Sequence, residues 1–291
     1  MGRRFCFPPE ILNFAVHIIV VMSTPVRAKK ALGQHFLTDL GIARNIVDSL
    51  RVVSGTAEDV VEVGPGMGVL SQYLLEREDV NLKMIEIDSE SVAYLLSNFP
   101  KAHGRILEAD FLKIKLEAIF PGQFSIIGNF PYNISSQIFF KILDYRNSVP
   151  QVVCMIQKEV AERIAEKPGS KTYGILSVLL QVWYDIEYLF SVGSGAFAPP
   201  PKVQSAVIRL TRNDRTTLGC DEDLFKTVVK TAFGQRRKTL RNSLKPLVQA
   251  KAAKENWSAE QTAEFTSGAI WELRPERLGV EDFISLTQQL S

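Results

Sequence analysis

Cysteine is scarce in this sequence of 291 residues. Its three cysteines, Cys6, Cys154 and Cys220, are far apart and form no Cys-x-x-Cys pair. An odd number of widely spaced cysteines argues against a disulfide framework and against a structural zinc site. We therefore expect a reducing, cytoplasmic setting and no metal.

A long hydrophobic run is also missing. The most apolar stretch, residues 11–21, follows Arg3 and Arg4, but it is too short to span a bilayer. No small-x-small cleavage site of a secretory signal follows it. We predict no membrane association, and we interpret residues 1–21 as an upstream extension with Met22 as the natural start.

Neither charge sign is in large excess. The 34 basic and 32 acidic side chains leave a net charge of +2, which is too small to indicate a nucleic-acid partner by itself. Hydrophobic residues make up 46% of the chain, which is ordinary for a globular protein with a full core. The length fits one large domain and one small domain.

Short apolar runs alternate with amphipathic stretches from residue 58 onward. The pattern predicts strands at residues 59–63, 80–87, 105–109, 124–128 and 151–156, and helices at residues 69–77, 89–98 and 135–144. Such alternation indicates a doubly wound, mostly parallel sheet. Two further strands, at residues 186–192 and 203–210, flank a Gly/Pro-rich loop and predict an antiparallel edge.

The character of the chain changes after these strands. Residues 211–221 are polar and predict a linker, and no strand is predicted beyond them. Helical spacing recurs at residues 224–233, 240–251 and 280–290. We therefore expect an α/β domain over residues 22–213 and a small all-α domain over residues 218–291, with Trp257 and Trp271 in the core of the latter.

A glycine loop follows the first predicted strand. Residues 64–68, Gly-Pro-Gly-Met-Gly, lie between a strand and a helix, where glycines let the backbone approach a ligand closely. Glu86 ends the next strand, 20 residues after Gly66, and suits the ribose hydroxyls of a nucleoside. Asp110 ends the third strand and either accepts from an adenine amine or caps a following helix. These features fit NAD and S-adenosylmethionine equally well.

The most specific feature is the tetrapeptide at residues 129–132, Asn-Phe-Pro-Tyr, directly after the fourth predicted strand. It has the [N/D]-P-P-[Y/F] form of enzymes that methylate planar amino nitrogens. The lone pair of an adenine amine is delocalised into the ring, which makes the amine a poor nucleophile. We expect the side-chain oxygen of Asn129 and the carbonyl of Phe130 to accept its two N–H groups and direct the lone pair at a methyl donor.

The two other residues of the tetrapeptide have supporting roles in this hypothesis. Pro131 stiffens the turn, and Tyr132 offers a ring that stacks on the base. The alternative is an ordinary turn at a strand end, where Asn is common for structural reasons.

Together these motifs make the chain resemble the ribosomal RNA adenine dimethyltransferases, which include the bacterial 16S enzyme and the erythromycin-resistance methylases. The resemblance covers nearly everything after Met22 and rests on residues 29–37, 63–68, 129–133 and 197–205. It implies a Rossmann-like class I methyltransferase domain with a seven-stranded, mostly parallel sheet, and S-adenosylmethionine as the methyl donor. His35 stands where Asn is commoner and Phe130 where Leu is commoner, and neither change removes a needed hydrogen-bonding group.

The resemblance also implies roles for individual residues. The expected cofactor contacts are His35, Leu37, Gly64, Glu86, Asp110 and Asn129. The expected catalytic residues are Asn129, Phe130, Pro131, Tyr132 and Phe197. Of these, Tyr132 and Phe197 are expected to sandwich the target adenine, with stacking worth about 1–3 kcal/mol per base.

Basic residues are concentrated in two places despite the small net charge. The first group is Arg27, Lys29 and Lys30, and the second is Arg236, Arg237, Lys238, Arg241 and Lys245. No acid interleaves the second group, and a continuous helix would align part of it as a positive ridge. We expect this ridge to bind RNA phosphates, and the small domain to recognise RNA by shape and backbone.

The leading hypothesis is an enzyme that makes N6,N6-dimethyladenosine at two adjacent adenines in a 3′-terminal hairpin of 16S ribosomal RNA. We expect it to act as a monomer on the immature small subunit. A large-subunit methylase of the resistance type and a mainly non-enzymatic small-subunit assembly factor are alternatives. A DNA amino-methyltransferase is disfavoured because no target-recognition region for the major groove is found in the sequence.

Overall fold

The computed structural model describes residues 26, 29, 33–52 and 57–291. The predicted extension over residues 1–21 lies outside the described residues, as do Arg27 and Lys30 of the first basic group. The strands are β1 (Phe36–Leu37), β2 (Glu58–Val63), β3 (Val80–Glu86), β4 (Ile106–Glu108), β5 (Ser125–Asn129), β6 (Gln151–Gln157), β7 (Tyr184–Val192), β8 (Phe197–Ala198) and β9 (Ser205–Arg212). The α-helices are α1 (Leu40–Asp48), α2 (Ser71–Leu74), α3 (Ser89–Asn98), α4 (Ser135–Asp144), α5 (Lys158–Ala165), α6 (Ile175–Gln181), α7 (Glu222–Gly234), α8 (Leu240–Ser243), α9 (Lys245–Lys254), α10 (Ala259–Phe265) and α11 (Val280–Leu290).

Seven of the strands form one sheet in the order β4-β3-β2-β5-β6-β9-β7. The five strands from β4 to β6 are parallel to their neighbours, and β9 is antiparallel to both β6 and β7. The prediction of a seven-stranded, mostly parallel sheet with an antiparallel edge is confirmed. The central strands are apolar on both faces because helices cover both sides of such a sheet.

Two predicted helices differ from the observed ones. The helix expected at residues 69–77 is reduced to the four residues of α2. The helix expected at residues 240–251 is interrupted at Leu244, between α8 and α9. Pro246 explains the interruption, since proline lacks an N–H group and fits only the first turn of a helix, here that of α9. Helices α1, α5, α6 and α10 were not predicted.

A short second sheet was also not predicted. Strand β1 pairs antiparallel with β8, with Leu37 opposite Phe197. This pairing joins the N-terminal segment to the late proline-rich loop across about 160 residues of sequence, as does the hydrogen bond from Thr38 to the carbonyl of Ala196 at 2.8 Å. A strand of two residues is too short to show the alternation of apolar and polar residues by which strands are predicted from sequence.

The C-terminal region is helical, as predicted, and one hydrophobic cluster runs into it from the sheet. The ring of Phe233 in α7 lies 6.2 Å from that of Tyr173 and 5.9 Å from that of Phe283 in α11. Trp271 is buried, as expected, whereas Trp257 is half-buried against Phe265. In the described part of the chain, no helix is long and apolar enough to cross a membrane.

Candidate active site

A cavity of about 300 Å³ opens where β2, β3 and β5 end. Its walls are the segments that follow these strands and β4, together with residues 33–37. Open α/β sheets bind ligands at this edge, where loops leave the carboxyl ends of parallel strands. The structure brings all six expected cofactor contacts to this cavity: His35, Leu37, Gly64, Glu86, Asp110 and Asn129.

The glycine loop requires its glycines. Gly64 and Gly66 have φ angles of 66° and 57°, which L side chains rarely adopt. A Cβ atom on Gly66 would lie 3.0 Å from the ring of Phe36, whereas one on Gly64 would meet no heavy atom within 4 Å. The space beside Gly64 is therefore open to a ligand that approaches the backbone.

Glu86 is buried and held by backbone donors. Its Oε2 accepts from the N–H of Gly66 at 3.0 Å, and its Oε1 accepts from the N–H of Asp88 at 2.9 Å. Burial raises the pKa of Glu86, and these hydrogen bonds offset part of the increase. Each oxygen keeps a second lone pair, so the carboxylate can accept from two ribose hydroxyls without losing its supports.

Asp110 lies at the cavity and also binds a nearby backbone group. It lines the cavity, and its Oδ1 accepts from the N–H of Leu112 at 2.9 Å. Residues 111–113 form a turn rather than a helix, so the alternative of a helix cap for Asp110 does not apply. The side chain is about one quarter exposed and also lies 3.5 Å from the ammonium of Lys113.

Asn129 ends β5 with its amide held in one orientation. The Nδ2 atom donates to the carbonyl of His35 at 3.1 Å. No hydrogen bond within the described residues engages Oδ1, and the residue lines the cavity. Phe130 fixes the position of the loop after β5. Its ring is buried against Phe139, and its N–H donates to the carbonyl of Met155 at 3.0 Å.

Three segments meet around Tyr132. Its hydroxyl lies 2.5 Å from that of Ser205, and its ring stacks on the imidazole of His35 with 5.5 Å between centroids. The Nδ1 atom of His35 lies 2.9 Å from the carbonyl of Pro199. Burial raises the pKa of Tyr132, so the phenol stays protonated at neutral pH. Pro131 also lines the cavity, as predicted for the catalytic loop.

Phe197 is the one expected catalytic residue that does not reach the cavity. Its side chain is buried in a hydrophobic cluster that also includes Leu37, its partner in the β1–β8 pairing. In the described part of the chain, the ring that faces Tyr132 is His35, not Phe197. The sandwich of Tyr132 and Phe197 around a base stays a prediction.

Sequence reasoning missed Glu62. This carboxyl group lies in β2, is buried at the cavity wall, and accepts from the hydroxyl of Ser71 at 2.7 Å. Burial raises the pKa of Glu62 to about 8. A single acid within the apolar run Val60-Val61-Glu62-Val63 was the signal, since an unpaired carboxylate in a buried strand is costly.

The five basic residues of the C-terminal region do not form one ridge. Arg236 and Arg237 lie beyond the end of α7, and Arg241 and Lys245 lie on different helices. Arg241 pairs with Glu272 at 2.6 Å, and Arg236 donates to the carbonyl of Lys171. The three others, Arg237, Lys238 and Lys245, are exposed and have no ion pair among the described residues.

Known proteins resemble this chain over nearly its whole length. A sequence model of the ribosomal RNA adenine dimethylase family matches residues 26–265. The chain belongs to this family. The family predicted from the four sequence motifs is therefore confirmed. The chain is an enzyme that dimethylates adenine in ribosomal RNA, and it has the fold of class I S-adenosylmethionine-dependent methyltransferases.

Individual relatives agree with this assignment. "Ribosomal RNA small subunit methyltransferase A" of Parabacteroides distasonis is 58% identical over 262 residues, which cover 90% of this chain and 93% of that protein. The protein of the same name in Porphyromonas gingivalis is 56% identical over 264 residues, with 90% and 97% covered.

Two solved structures share the fold. A dimethyladenosine transferase from Plasmodium falciparum superimposes with a TM-score of 0.71 at 23% identity, covering 88% of this chain and 96% of that one. The 23S rRNA methyltransferase ErmE gives a TM-score of 0.58, also at 23% identity, with 88% and 99% covered.

Proposed function

We propose that this enzyme transfers methyl groups from S-adenosylmethionine to N6 of two adjacent adenines in a 3′-terminal hairpin of 16S ribosomal RNA. The product is N6,N6-dimethyladenosine, and the substrate is the small subunit during its biogenesis. Relatives that are more than half identical over nine tenths of the chain carry a small-subunit name, which supports this choice of RNA.

The orientation of Asn129 is the observation that carries the proposal. Because the carbonyl of His35 takes the Nδ2 donor, the remaining Oδ1 is an acceptor at the cavity wall. An acceptor there, with the carbonyl of Phe130, binds the two hydrogens of an adenine amine and leaves its lone pair free to attack. Fixed dipoles of this kind stabilise the positive charge that develops on the nitrogen.

The residues around the cavity fit the methyl donor. S-adenosylmethionine supplies an electrophilic methyl group on a sulfonium centre. Glu86 has two free lone pairs for the ribose hydroxyls, and Asp110 offers an acceptor for the adenine amine of the cofactor. Gly64 leaves room for the ligand beside the backbone, and residues 35–37 close the cavity from the N-terminal side.

We further propose that residues 22–213 carry the chemistry and residues 218–291 recognise RNA. The exposed and unpaired cations Arg237, Lys238 and Lys245 support a phosphate-binding surface on the second region. Arg236 and Arg241 contribute less in this proposal, because protein carbonyls and carboxylates already occupy their guanidinium groups.

The test is a comparison of methyl acceptors. Purified enzyme and labelled S-adenosylmethionine are incubated with small subunits from cells that lack this activity, and in parallel with large subunits and with duplex DNA. Label in small-subunit RNA alone is the expected result. Label in large-subunit RNA would replace the proposed substrate by that of a resistance methylase. Binding to small subunits without any transfer would favour an assembly factor.

A further inference from the structure

We propose that Lys29 and Asp88 form a latch that holds residues 33–37 over the cavity and slows exchange of the cofactor. The inference deepens the proposed function, since it concerns how the same site retains S-adenosylmethionine. It assigns Asp88 as a positioning residue that acts through the N-terminal segment rather than by touching the cofactor.

One end of the N-terminal segment is fixed at Asp88. The carboxylate accepts from the ammonium of Lys29 at 2.6 Å and from the amide of Gln34 at 3.3 Å. The Gln34 side chain also accepts from the N–H of Lys29 at 2.9 Å. Two side chains of this segment therefore bind Asp88, two residues beyond the end of β3, and the N–H of Lys29 links them to each other.

The other end of the segment is fixed on the far side of the cavity. His35 accepts from Asn129 through its carbonyl, and Leu37 pairs with Phe197 between β1 and β8. Gly33, Gln34, His35, Phe36 and Leu37 all line the cavity between these attachments. The segment thus crosses the cavity as a strap that is tied at both ends.

Capping of α3 does not account for the surroundings of Asp88. As the N-cap residue, it accepts from the N–H of Glu90 at 3.2 Å and from the hydroxyl of Ser91 at 3.3 Å. A neutral Asn or Ser would serve this purpose equally well. The charge of Asp88 is matched instead by Lys29, which lies 59 residues away in sequence.

Burial gives the latch strength that exposed ion pairs lack. The Asp88 side chain is 1% exposed and that of Lys29 is 36% exposed. Burial by itself would raise the pKa of Asp88, but the hydrogen bonds from Lys29 and Gln34 outweigh it and hold that pKa below its usual range. The N–H of Asp88 also supports Glu86, so the latch adjoins the carboxylate proposed to bind ribose.

Such a latch acts on retention and not on chemistry. Lys29 and Asp88 do not line the cavity, whereas the strap that they fix does. Loss of the ion pair should free one end of the strap, so that the cofactor leaves faster and binds more weakly. The rate at saturating cofactor should change little, because the far end of the strap, where His35 contacts Asn129 and Tyr132, stays attached through the pairing of β1 with β8.

The experiment measures binding of S-adenosylhomocysteine by calorimetry and its release by stopped-flow fluorescence. We compare the full-length enzyme with Lys29→Met, Asp88→Asn and the double variant. The matched control is Lys101→Met, which breaks a 2.7 Å ion pair with Glu76 between two exposed side chains away from the cavity.

Each single variant should weaken binding about fivefold, mainly through faster release, as expected for a partly buried ion pair. The double variant should be no worse than Lys29→Met, because Lys29→Met already removes the contact with Asp88, together with the 3.0 Å contact of Lys29 with the exposed Glu90. Hydrogen exchange of residues 33–37 should be faster in Lys29→Met, and KM for S-adenosylmethionine should rise while kcat is maintained. Lys101→Met should bind as the unmodified enzyme does.

Equal affinity and release rate in Lys29→Met and the unmodified enzyme would overturn the latch while leaving the proposed function intact. Lys29→Met decides the matter even if Asp88→Asn folds poorly because its amide nitrogen cannot accept from Gln34 or Ser91 as the carboxylate oxygen does. Failure of the unmodified enzyme to bind S-adenosylhomocysteine would instead overturn the proposed function, and the latch with it.

Discussion

At the scale of single residues, the site depends on which atom of an amide faces the ligand. Sequence placed Asn129 after a strand, but it did not show that the Nδ2 atom is already bound to the carbonyl of His35. His35 lies 94 residues earlier in the chain. Its carbonyl binds Nδ2 of Asn129 and so leaves Oδ1 as the atom that can accept from a ligand.

Asn129→Ala removes this acceptor and should lower kcat by about 10²–10³, the loss typical when one preorganised hydrogen-bonding group at a reacting centre is removed. Initial rates of methyl transfer to small subunits measure the effect. Asn81→Ala is the control, since Asn81 is exposed on β3 and its side chain donates to that of Asp59. Equal losses in the two variants would show that Asn129 has no special role.

Glu62 should make the free energy of unfolding depend on pH in an unusual direction. Burial raises its pKa from 4.5 to about 8 in the folded chain. Between these values the folded chain keeps a proton that the unfolded chain releases, so the free energy of unfolding should fall as pH rises through this window. Glu62→Gln keeps an acceptor for Ser71 but does not titrate.

Urea unfolding of both proteins from about pH 5 to about pH 8 tests this effect. The free energy of unfolding of Glu62→Gln should fall less with rising pH than that of the unmodified chain. Parallel curves for the two proteins would mean that Glu62 is ionised in the folded state.

At the scale of secondary-structure elements, the parallel sheet was predictable because its strands are short apolar runs with turns at both ends. Helices α3, α4 and α11 were found with their observed bounds, since each has a wide apolar face. The short helices α5 and α6 were not predicted from the sequence, because tertiary packing rather than the local residue pattern stabilises helices of seven or eight residues.

The site was predictable where a residue follows a strand and less so elsewhere. Gly64, Glu86, Asp110 and Asn129 all sit at strand ends, which topology brings to one edge of the sheet. The burial of Phe197 was not predictable, because it depends on a two-residue pairing between β1 and β8. Resemblance gives the residue a role, but only the fold shows where its ring lies.

The close approach of β5 to β2 makes another prediction. A Cβ atom on Gly128 would lie 2.5 Å from the backbone carbonyl of Val63. Gly128→Ala should therefore reduce the free energy of unfolding by about 1–3 kcal/mol, the usual range for overpacking. Gly122→Ala is the matched control, because a Cβ there would meet no heavy atom within 4 Å. Equal stability of the two variants in urea would contradict the observed packing.

At the scale of the whole molecule, contacts between distant segments decide which charges are free. Sequence showed a basic group without acids nearby in the chain, yet Glu272 and Glu276 approach it in the fold. Likewise, the polar stretch predicted as a linker contains the buried Leu218, which belongs to the hydrophobic cluster shared by sheet and helices. Neither fact has a local signal.

RNA binding should reveal the difference between free and paired cations. Arg237→Ala or Lys238→Ala should lower the slope of log affinity against log salt by about 0.7–0.9, the value for one phosphate contact. Arg241→Ala should change the slope less, because its guanidinium pairs with Glu272 at 2.6 Å. Titrations with small-subunit RNA at several salt concentrations measure these slopes. A larger change for Arg241 would contradict the charge distribution in the structure.

We propose that this chain dimethylates N6 of adenines in small-subunit RNA through the site at Asn129. The most direct measurement is mass analysis of nucleosides from small-subunit RNA after incubation with S-adenosylmethionine and enzyme. We expect N6,N6-dimethyladenosine with the unmodified enzyme and little or none with Asn129→Ala. Methylation of another nucleoside, or equal dimethyladenosine from Asn129→Ala, would contradict it.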